Sequence, residues 1–510
     1  MLAPGPVRDP PESPLSLSPT PTRVRISLEE RLWRAVYDAL VLPSAEALLP
    51  AAALVDSKAA AYRAARAGWR AALETALAAR PDVALGDALW VHAASAGEFL
   101  QARALLRALR SVRPDLPLVY TYTSPSALPL LQGFRGADLV FPLPIDSRAN
   151  VRDWLDAVRP AALALVDAEL WPNALLESRR RGLPVALVSA RLGGDSRRVR
   201  GPLRGFFRGL QAALDLVACA DDHSAALFRA GGVEPARVAV TGDLRVDETL
   251  RRTAELPPRA GLPLPELLPL VVAGSTWPED EAVLLRALEV LRDRGVLLAL
   301  ALAPHEVSAA RLEGLEASLA ARGFTPARWS SLAASEADAA PVSGGRDAAA
   351  RAAAPVPRSL RVAGALGTGL RQTTDEPAVD ALIVDRVGLL YRLYGSGRVA
   401  WIGGAFRNAV HNVMEPVAFG IPVVTGPETG RSWIARELTD RCALYPVADV
   451  PACAAALEHL LLDGGAAAEA GARGRAVLEV HAGAAARTVV ALAAAGWLSQ
   501  TETAEGSSSR

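Results

Sequence analysis

The sequence predicts an α/β protein built from two doubly wound, Rossmann-like domains. A chain of 510 residues is too long for one hydrophobic core. Short apolar runs alternate with helical stretches from about residue 73, as in a mostly parallel sheet covered by helices. The alternation restarts at residue 270, after a segment, 255–269, that contains five prolines. We therefore expect a first domain at 73–254, a linker at 255–269 and a second domain at 270–498.

Each predicted strand is a short apolar run. The first domain has seven such runs, at Leu89–Val91, Leu118–Tyr120, Leu139–Phe141, Ala162–Val166, Val185–Val188, Leu216–Cys219 and Val238–Val240. The second has six, at Leu270–Ala273, Leu297–Ala303, Ala381–Val384, Val399–Ile402, Pro422–Val424 and Ala443–Val447.

Three segments have the composition of disordered chain. Residues 1–27 are rich in proline and serine, 329–360 are a low-complexity insertion of alanine, serine and proline, and 499–510 form a polar tail. Residues 1–27 lack the features of a signal peptide, which are a charged start, an apolar core and a cleavage site in that order.

Charge and cysteine usage exclude several classes of function. The 55 basic and 55 acidic residues balance, which argues against bulk nucleic-acid binding. The three cysteines have no C-x-x-C spacing and the six histidines no ligand spacing. We therefore expect neither a disulfide framework nor a metal site, and a reducing compartment fits.

Residues 28–72 predict an N-terminal, membrane-proximal helical segment. Apolar residues recur there at helical spacing, at Leu28, Leu32, Val36 and Leu40. Acidic residues and prolines interrupt the segment too often for a spanning helix of ~20 apolar residues. Its arginines and aromatic residues favour a helix lying on a membrane surface. The alternative is an amphipathic helix packed on its own domain.

Glu98 follows the first predicted strand, where small residues make a turn and a helix begins. Open α/β sheets bind ligands at this carboxyl edge. The helix dipole favours an ionised Glu98, whereas burial raises a carboxyl pKa. Glu98 is thus either a helix-capping residue or a general base.

Asp167 and Glu169 flank Ala168 at the end of the fourth predicted strand. Carboxylates at positions i and i+2 of an extended chain point the same way. They either position a hydroxyl or an amine of a substrate, or are one helix cap and one solvated charge.

Residues 399–427 read as a buried strand, a glycine-rich turn, a helix opening at His411-Asn412 and a second strand at Ile421–Val424. That order places backbone N–H groups and a helix N-terminus where an anion can bind, with the carboxylate of Glu415 one turn on.

These segments resemble those of the 3-deoxy-D-manno-octulosonic acid (Kdo) transferases, which have the two-domain GT-B glycosyltransferase fold with the domains facing a cleft. Nine segments match in family order. They are WVHAASAGE (90–98), TYTSPS (121–126), FPLPID (141–146), DAELWPN (167–173), VSARLGGDS (188–196), TGDLRVD (241–247), AGSTWPEDE (273–281), APHE (303–306) and HNVMEPVAFGIPVVTGP (411–427).

The resemblance implies an inverting transfer of Kdo from CMP-Kdo to a lipid A precursor at the cytoplasmic face of the inner membrane. The family's catalytic base falls on Glu98 and its second carboxylate on Glu169. The donor contacts implied by the resemblance are Ser275, Thr276, His305, Arg245, Asn412 and Glu415, while Arg191 either binds an anion of a substrate or forms an interdomain salt bridge. No cofactor or metal is implied. The partners would be CMP-Kdo, the lipid A precursor and the membrane surface, with no nucleic acid.

Several positions depart from the commonest family pattern. Trp277 stands where a histidine is common, Asp243 and Arg245 replace an amide and a lysine, and Ala409, Val410 and Val413 replace two glycines and a proline. The segment after Asp385 also loses a glutamate. Two other readings therefore stay open: another GT-B sugar-nucleotide transferase or epimerase, and an inactive membrane-associated lipid-binding protein.

Overall fold

The structure is a computed structural model that describes residues 28–81, 85–194, 196, 198–256, 262, 264–333, 379–386 and 388–498. Both predicted tails lie outside these residues. Of the predicted insertion at 329–360, only Trp329–Ala333 is described, and it is helical.

The described residues contain fourteen strands. They are β1 Leu89–His92, β2 Leu118–Tyr122, β3 Leu139–Pro142, β4 Ala162–Val166, β5 Val185–Ala190, β6 Leu216–Cys219, β7 Val238–Val240, β8 Leu270–Thr276, β9 Ala299–Pro304, β10 Pro326–Arg328, β11 Ala381–Ile383, β12 Val399–Ile402, β13 Val423–Thr425 and β14 Leu444–Pro446.

The helices lie between the strands and at both ends of the described chain. They are α1 Leu28–Val36, α2 Leu42–Val55, α3 Ser57–Ala64, α4 Trp69–Ala78, α5 Ala96–Val112, α6 Leu128–Leu131, α7 Arg148–Val158, α8 Pro172–Arg180, α9 Arg204–Ala212, α10 Asp222–Ala230, α11 Leu244–Glu255, α12 Pro278–Asp293, α13 Ala309–Ala320, α14 Trp329–Ala333, α15 Leu390–Tyr394, α16 Met414–Ala418, α17 Trp433–Asp440, α18 Val450–Leu462, α19 Gly464–His481 and α20 Ala484–Ala494.

The first compact unit contains the described residues up to Glu248 and from Gly483 onwards. Its seven parallel strands have the order β3-β2-β1-β4-β5-β6-β7. Strands β1, β2, β4, β5 and β6 are buried at every position, because helices cover both faces of the sheet. The chain reverses its direction of winding between β1 and β4, which makes that point the topological switch of the sheet.

The second unit, Thr249–Ala482, has the strand order β10-β11-β9-β8-β12-β13-β14, also all parallel. Its switch point lies between β8 and β12. The predicted fold class, two doubly wound domains of the GT-B kind, is confirmed.

The last helix corrects the predicted domain boundary, which placed all of 270–498 in the second domain. Helix α20 belongs to the first unit, where Ala484, Val489 and Leu492 enter the same core as α5. Asp247 accepts hydrogen bonds from the N–H groups of Gly483 (2.7 Å) and Ala485 (2.6 Å) at the start of α20. The buried apolar face of α20 and the hydrogen bonds that Asp247 accepts at its start hold this helix in the first unit.

The N-terminal segment is more continuous than the sequence indicated. A π-type turn, Tyr37–Val41, joins α1 to α2, and α2 continues through Pro50. In this turn the N–H of Leu42 reaches back to the carbonyl of Tyr37, which accommodates Pro43 without breaking the helix. By length and composition alone, Arg31–Leu54 could cross a membrane, as could Gly464–Ala494. The second run contributes to the cores of the units, so it is better explained as core helix.

Buried polar contacts attach this segment to the first unit. The guanidinium of Arg34 pairs with Glu177 at 2.8 Å, and both side chains are about 5% exposed or less. The hydroxyl of Tyr37 donates to Asp146 at 3.0 Å, and the N–H of Asn173 donates to the same carboxylate. Asp146 and Asn173 belong to the FPLPID and DAELWPN motifs, so part of what makes these motifs distinctive is their hold on the N-terminal helix.

Arg34→Met should destabilise the first unit by about 3 kcal/mol, because it leaves the buried Glu177 without its most buried cation. The matched control is Arg70→Met, which breaks an exposed pair with Asp153 and should cost under about 1 kcal/mol. Urea unfolding followed by circular dichroism measures both. Equal losses in the two variants would contradict the importance of the buried pair.

Candidate active site

The first unit gathers charged side chains at the carboxyl edge of its sheet. Glu98 follows β1, Asp167 and Glu169 follow β4, and Arg191 follows β5. The strands β1, β4 and β5 are adjacent, so the side chains after them share one edge. This edge includes the switch point, where open α/β sheets bind ligands.

Glu98 caps helix α5. Its Oε2 accepts a hydrogen bond from the backbone N–H of Ser95 at 2.8 Å, within a reciprocal capping box. Burial raises the pKa of Glu98, and the charge of Asp167 adds to the rise, against the N–H groups of Ser95 and Ala94. Glu98 is therefore a capping residue that also holds its proton more strongly than an ordinary glutamate.

Glu169 is electrostatically linked to Glu98. Burial, and then the charge of Glu98, raises the pKa of Glu169 to about 7, although Arg198 lowers it. The guanidinium of Arg198 donates to the carbonyl of Ala168, directly beside Glu169. The titrations of the two carboxyl groups are therefore coupled, and both pKa values are raised.

Asp167 differs from these two carboxylates because it is fully paired. Arg191 grips it with Nε at 2.9 Å and with a second guanidinium nitrogen, and Gln101 Nε2 donates to it at 3.0 Å. Its backbone lies in the left-handed region, at φ 66°, a strained conformation for a non-glycine residue. Arg191 thus forms its ion pair inside the first unit, which is not the interdomain bridge considered from the sequence.

Arg245 is also paired within the first unit, with Asp243 two residues before it. Its Nε lies 3.0 Å from both carboxylate oxygens. Burial works to raise the pKa of Asp243, but the charge of Arg245 outweighs it and, with Arg191, holds that pKa at about 2. The two residues that depart from the family pattern therefore form a buried ion pair with each other.

His92 is a structural residue of the first unit. It is fully buried, its Nδ1 lies 2.9 Å from the hydroxyl of Thr121, and its ring packs edge-on against Trp171. Burial lowers the pKa of His92 to about 3, so the ring is neutral at physiological pH.

In the second unit, Ser275 and Thr276 end β8 at the switch point of the sheet. Ser275 has a positive φ of 53°. The hydroxyl of the buried Thr276 donates to Glu281 at 2.6 Å. Asp280 joins the ends of two strands, because its Oδ2 accepts from the N–H of Trp277 (2.9 Å) after β8 and of Gly404 (2.8 Å) after β12.

A cluster of rings lies at the same edge. His305, which follows β9, stacks on Trp277 with the ring centres 4.5 Å apart and on His411 with the centres 4.7 Å apart. Trp277 Nε1 donates to His411 Nε2 at 3.0 Å. The guanidinium of Arg407 lies over the indole of Trp277, 4.0 Å from the ring centre. The sequence placed His305 here and missed its partners.

The helix predicted to open at His411-Asn412 begins instead at Met414 and has five residues. The side-chain oxygen of Asn412 accepts from the N–H of Met414 at 3.1 Å. Glu415, in this helix, lies 3.7 Å from Arg252 of α11. Burial raises the pKa of Glu415, against Arg252 and Asn412, which lower it. Glu415 therefore belongs to a short turn of helix, and Asn412 lies just before it. Among the described residues, no group of three or more His, Cys, Asp or Glu is arranged to hold a metal ion.

The chain is similar in sequence to a known protein family. Residues 62–248 match the family described as 3-deoxy-D-manno-octulosonic-acid transferase (kdotransferase). The 3-deoxy-D-manno-octulosonic acid transferase of Bordetella pertussis is 30% identical over 371 residues, which are 69% of this chain and 74% of that protein. The chain belongs to the Kdo transferase family. The Haemophilus influenzae protein of the same name is 24% identical over 408 residues, 78% of this chain and 83% of that protein.

Solved structures agree on the fold. The UDP complex of MnaA from S. aureus has a TM-score of 0.52 and 11% identity, covering 79% of this chain and 95% of that one. A UDP-N-acetylglucosamine 2-epimerase has a TM-score of 0.51 and 11% identity, covering 76% and 90%. At this identity the likeness shows the fold alone, while the sequence relatives decide the family. Membership of the Kdo transferase family supports Kdo transfer in lipopolysaccharide biosynthesis.

Glu98→Gln should lower the pKa of Glu169, because it removes a neighbouring negative charge that opposes ionisation of Glu169. Carbon-13 chemical shifts of labelled glutamate carboxyl groups, followed over pH, measure the change. Glu74→Gln, at an exposed position of α4, is the control and should leave the Glu169 titration where it is. An unchanged Glu169 titration in Glu98→Gln would show that the two carboxyl groups are independent.

Proposed function

We propose that this protein transfers Kdo from CMP-Kdo to a lipid A precursor, lipid IVA, with inversion at the anomeric carbon. The observation that carries the proposal is the linked pair of partly buried carboxyl groups, Glu98 and Glu169, at the switch edge of the first sheet. Family membership supports the sugar transferred; the donor's nucleotide and the acceptor belong to the proposal.

Glu98 acts as the general base. A hydroxyl oxygen of the acceptor sugar attacks the anomeric carbon of Kdo, the bond from that carbon to the phosphate oxygen breaks, and CMP leaves with the bonding electrons. The hydroxyl proton passes to the carboxylate of Glu98. A raised pKa suits this role, since it increases the proton affinity of the base. Because Glu98 must be ionised to accept the proton, the rate should rise as pH increases through its pKa.

Glu169 and the adjacent cations prepare the site for anionic substrates. Glu169, whose pKa the charge of Glu98 raises, is the second carboxyl group of the pair. Arg191 and Arg198 lie beside the carboxylates, where their charge can also attract an acceptor phosphate or the carboxylate of Kdo. The second unit would hold the donor, with Ser275, His305, Asn412 and Glu415 as contacts. We expect no metal or other cofactor, the leaving phosphate being met by N–H donors and arginine.

Glu98→Gln should lower Kdo transfer by roughly 10²–10⁴-fold, the contribution typical of a general base. Glutamine preserves the acceptor of the capping box and cannot take the proton, so this variant separates capping from catalysis. Mass spectrometry of the acceptor after incubation with CMP-Kdo and tetra-acylated precursor measures the transfer and counts the sugars added.

Two further results bear on the base. Glu98→Ala loses the cap as well and should be both inactive and less stable than Glu98→Gln. Full activity of folded Glu98→Gln would remove Glu98 as the base. No transfer by the folded wild-type protein, with donor and acceptor intact, would favour an inactive lipid-binding protein.

The N-terminal helix would attach the enzyme to the cytoplasmic face of the inner membrane, where an acylated acceptor resides. Its exposed side chains include Leu40, Leu48 and Leu54, the last 87% exposed. Apolar side chains of this kind gain free energy by entering the acyl boundary of a bilayer.

Replacing Leu40, Leu48 and Leu54 together by serine should reduce binding to vesicles of phosphatidylethanolamine and phosphatidylglycerol by at least roughly tenfold, because three apolar side chains no longer enter the bilayer. Co-flotation with vesicles measures the bound fraction. The control is Val112→Ser, at an exposed valine of α5, which should bind like the wild type. Undiminished flotation of the triple variant would place the membrane contact elsewhere.

A further inference from the structure

The ring cluster of the second unit contains a hydrogen bond that determines where one histidine carries its proton. Trp277 Nε1–H donates to His411 Nε2 at 3.0 Å. An indole nitrogen is a donor only, so His411 Nε2 must be the accepting nitrogen. In a neutral imidazole the single proton then resides on Nδ1.

His411 is held as the neutral ring. A protonated imidazole would carry a hydrogen on Nε2 that faces the indole N–H, so protonation would break the bond to Trp277. Burial, and then the nearby His305, lowers the pKa of His411, which acts in the same direction. The titratable and charged groups around the ring are His305 after β9, Arg407 after β12, which lies over Trp277, and Asp280 of α12, which accepts from the N–H groups of Trp277 and Gly404.

The fold also fixes the orientation of the ring. A Cβ added at Gly404 would lie 2.8 Å from Cδ2 of His411 and 2.9 Å from Nε2. That edge of the imidazole therefore packs against the backbone of Gly404, and the Nδ1 edge is turned away from it. The N–H of His411 donates to the carbonyl of Gly403 at 3.1 Å, so the main chain is anchored as well. Within the described residues, no protein acceptor is recorded for Nδ1.

We propose that Trp277 is a positioning residue for the nucleotide sugar: it locks His411 in the Nδ1–H tautomer, so that a neutral N–H donor is presented to the phosphate of the donor. This inference rests on the proposed function, since it assigns a phosphate-bearing ligand to the second unit. The location at the ends of β8 and β12, the switch point of this sheet, is where such a ligand binds in open α/β sheets.

Tryptophan is well suited to this task. Histidine, common at this position in the family, donates from a given nitrogen in only one of its tautomers. The indole N–H is a donor at every pH. Trp277 therefore makes the tautomer of His411 independent of the protonation state of its partner, and its ring provides the surface on which His305 stacks.

Nitrogen-15 NMR of histidine-labelled protein reads the tautomer directly, with the His411 signals assigned by their loss in His411→Gln. In the wild type we expect a protonated Nδ1 and an unprotonated Nε2. Trp277→Phe keeps an aromatic ring for His305 and removes the N–H, so His411 should become a mixture of tautomers. Trp277→His should restore the Nδ1–H form in part.

Calorimetric titration with CMP and with cytidine, which lacks the phosphate, tests whether the Nδ1–H of His411 contacts the phosphate. Trp277→Phe should weaken CMP binding roughly tenfold, the loss expected for one hydrogen bond to a charged group, and change cytidine binding less than about twofold. The control is Trp401→Phe, since the buried indole N–H of Trp401 has no hydrogen-bond partner among the described residues. It should leave the His411 tautomer and CMP binding unchanged.

Several outcomes would overturn the proposal. An unchanged His411 tautomer in Trp277→Phe, or equal losses for CMP and cytidine, would reduce Trp277 to a packing residue. A loss seen with CMP-Kdo and absent with CMP would move the contact to the carboxylate of Kdo. If the wild type binds CMP and Trp277→Phe binds it equally well, only this inference fails. If the wild type binds neither CMP nor CMP-Kdo, the proposed function fails with it.

Discussion

A buried aspartate at the carboxyl edge of each sheet connects the strand ends on which the candidate sites depend. In the first unit Asp167, after β4, accepts from Arg191 after β5 and from Gln101 of α5. In the second, Asp280 accepts from backbone N–H groups that follow β8 and β12. A carboxylate out of water costs several kcal/mol unless its partners are in place. Separating the strand ends at either edge would leave the buried carboxylate without its partners and incur this cost. The loops that carry the other functional groups are therefore held in place.

The acidic groups at the edge of the first sheet are of two kinds, according to whether an arginine pairs directly with them. Asp167 and Asp243 each face an arginine, and the charge of Arg245 holds the pKa of Asp243 at about 2 although Asp243 is buried. Glu98 and Glu169 have N–H groups and a more distant cation, and burial raises the pKa of each. The arginine pairs give both aspartates a structural role, and Asp243 remains ionised. The glutamates, whose pKa values are raised, hold their protons more strongly, which is why the proposed chemistry is assigned to them.

The sequence was sufficient for the sheets and for the edge at which the site lies, because parallel strands buried on both faces appear as short apolar runs and their carboxyl ends meet at one edge. It placed Glu98, Glu169, Ser275 and His305 at those edges. It was not sufficient for partners that come from elsewhere in the chain. Gln101 lies one helical turn after Glu98, a spacing that offered a signal, whereas nothing in the sequence connects Arg252 to Glu415. The start of α16 was misplaced because His411 is engaged by Trp277, a tertiary contact that local helix-start signals do not contain.

In both units, burial removes water from a titratable group and disfavours its charged form. In the first, dehydration makes a carboxyl group hold a proton more strongly; in the second, it helps to keep an imidazole uncharged. A neutral N–H donor binds a ground-state phosphate less strongly than a cation would, and its hydrogen bond strengthens as negative charge accumulates on the leaving group. Interactions that grow between ground state and transition state are those that accelerate a reaction. For the proposed release of CMP, a neutral His411 is therefore more useful than a charged one.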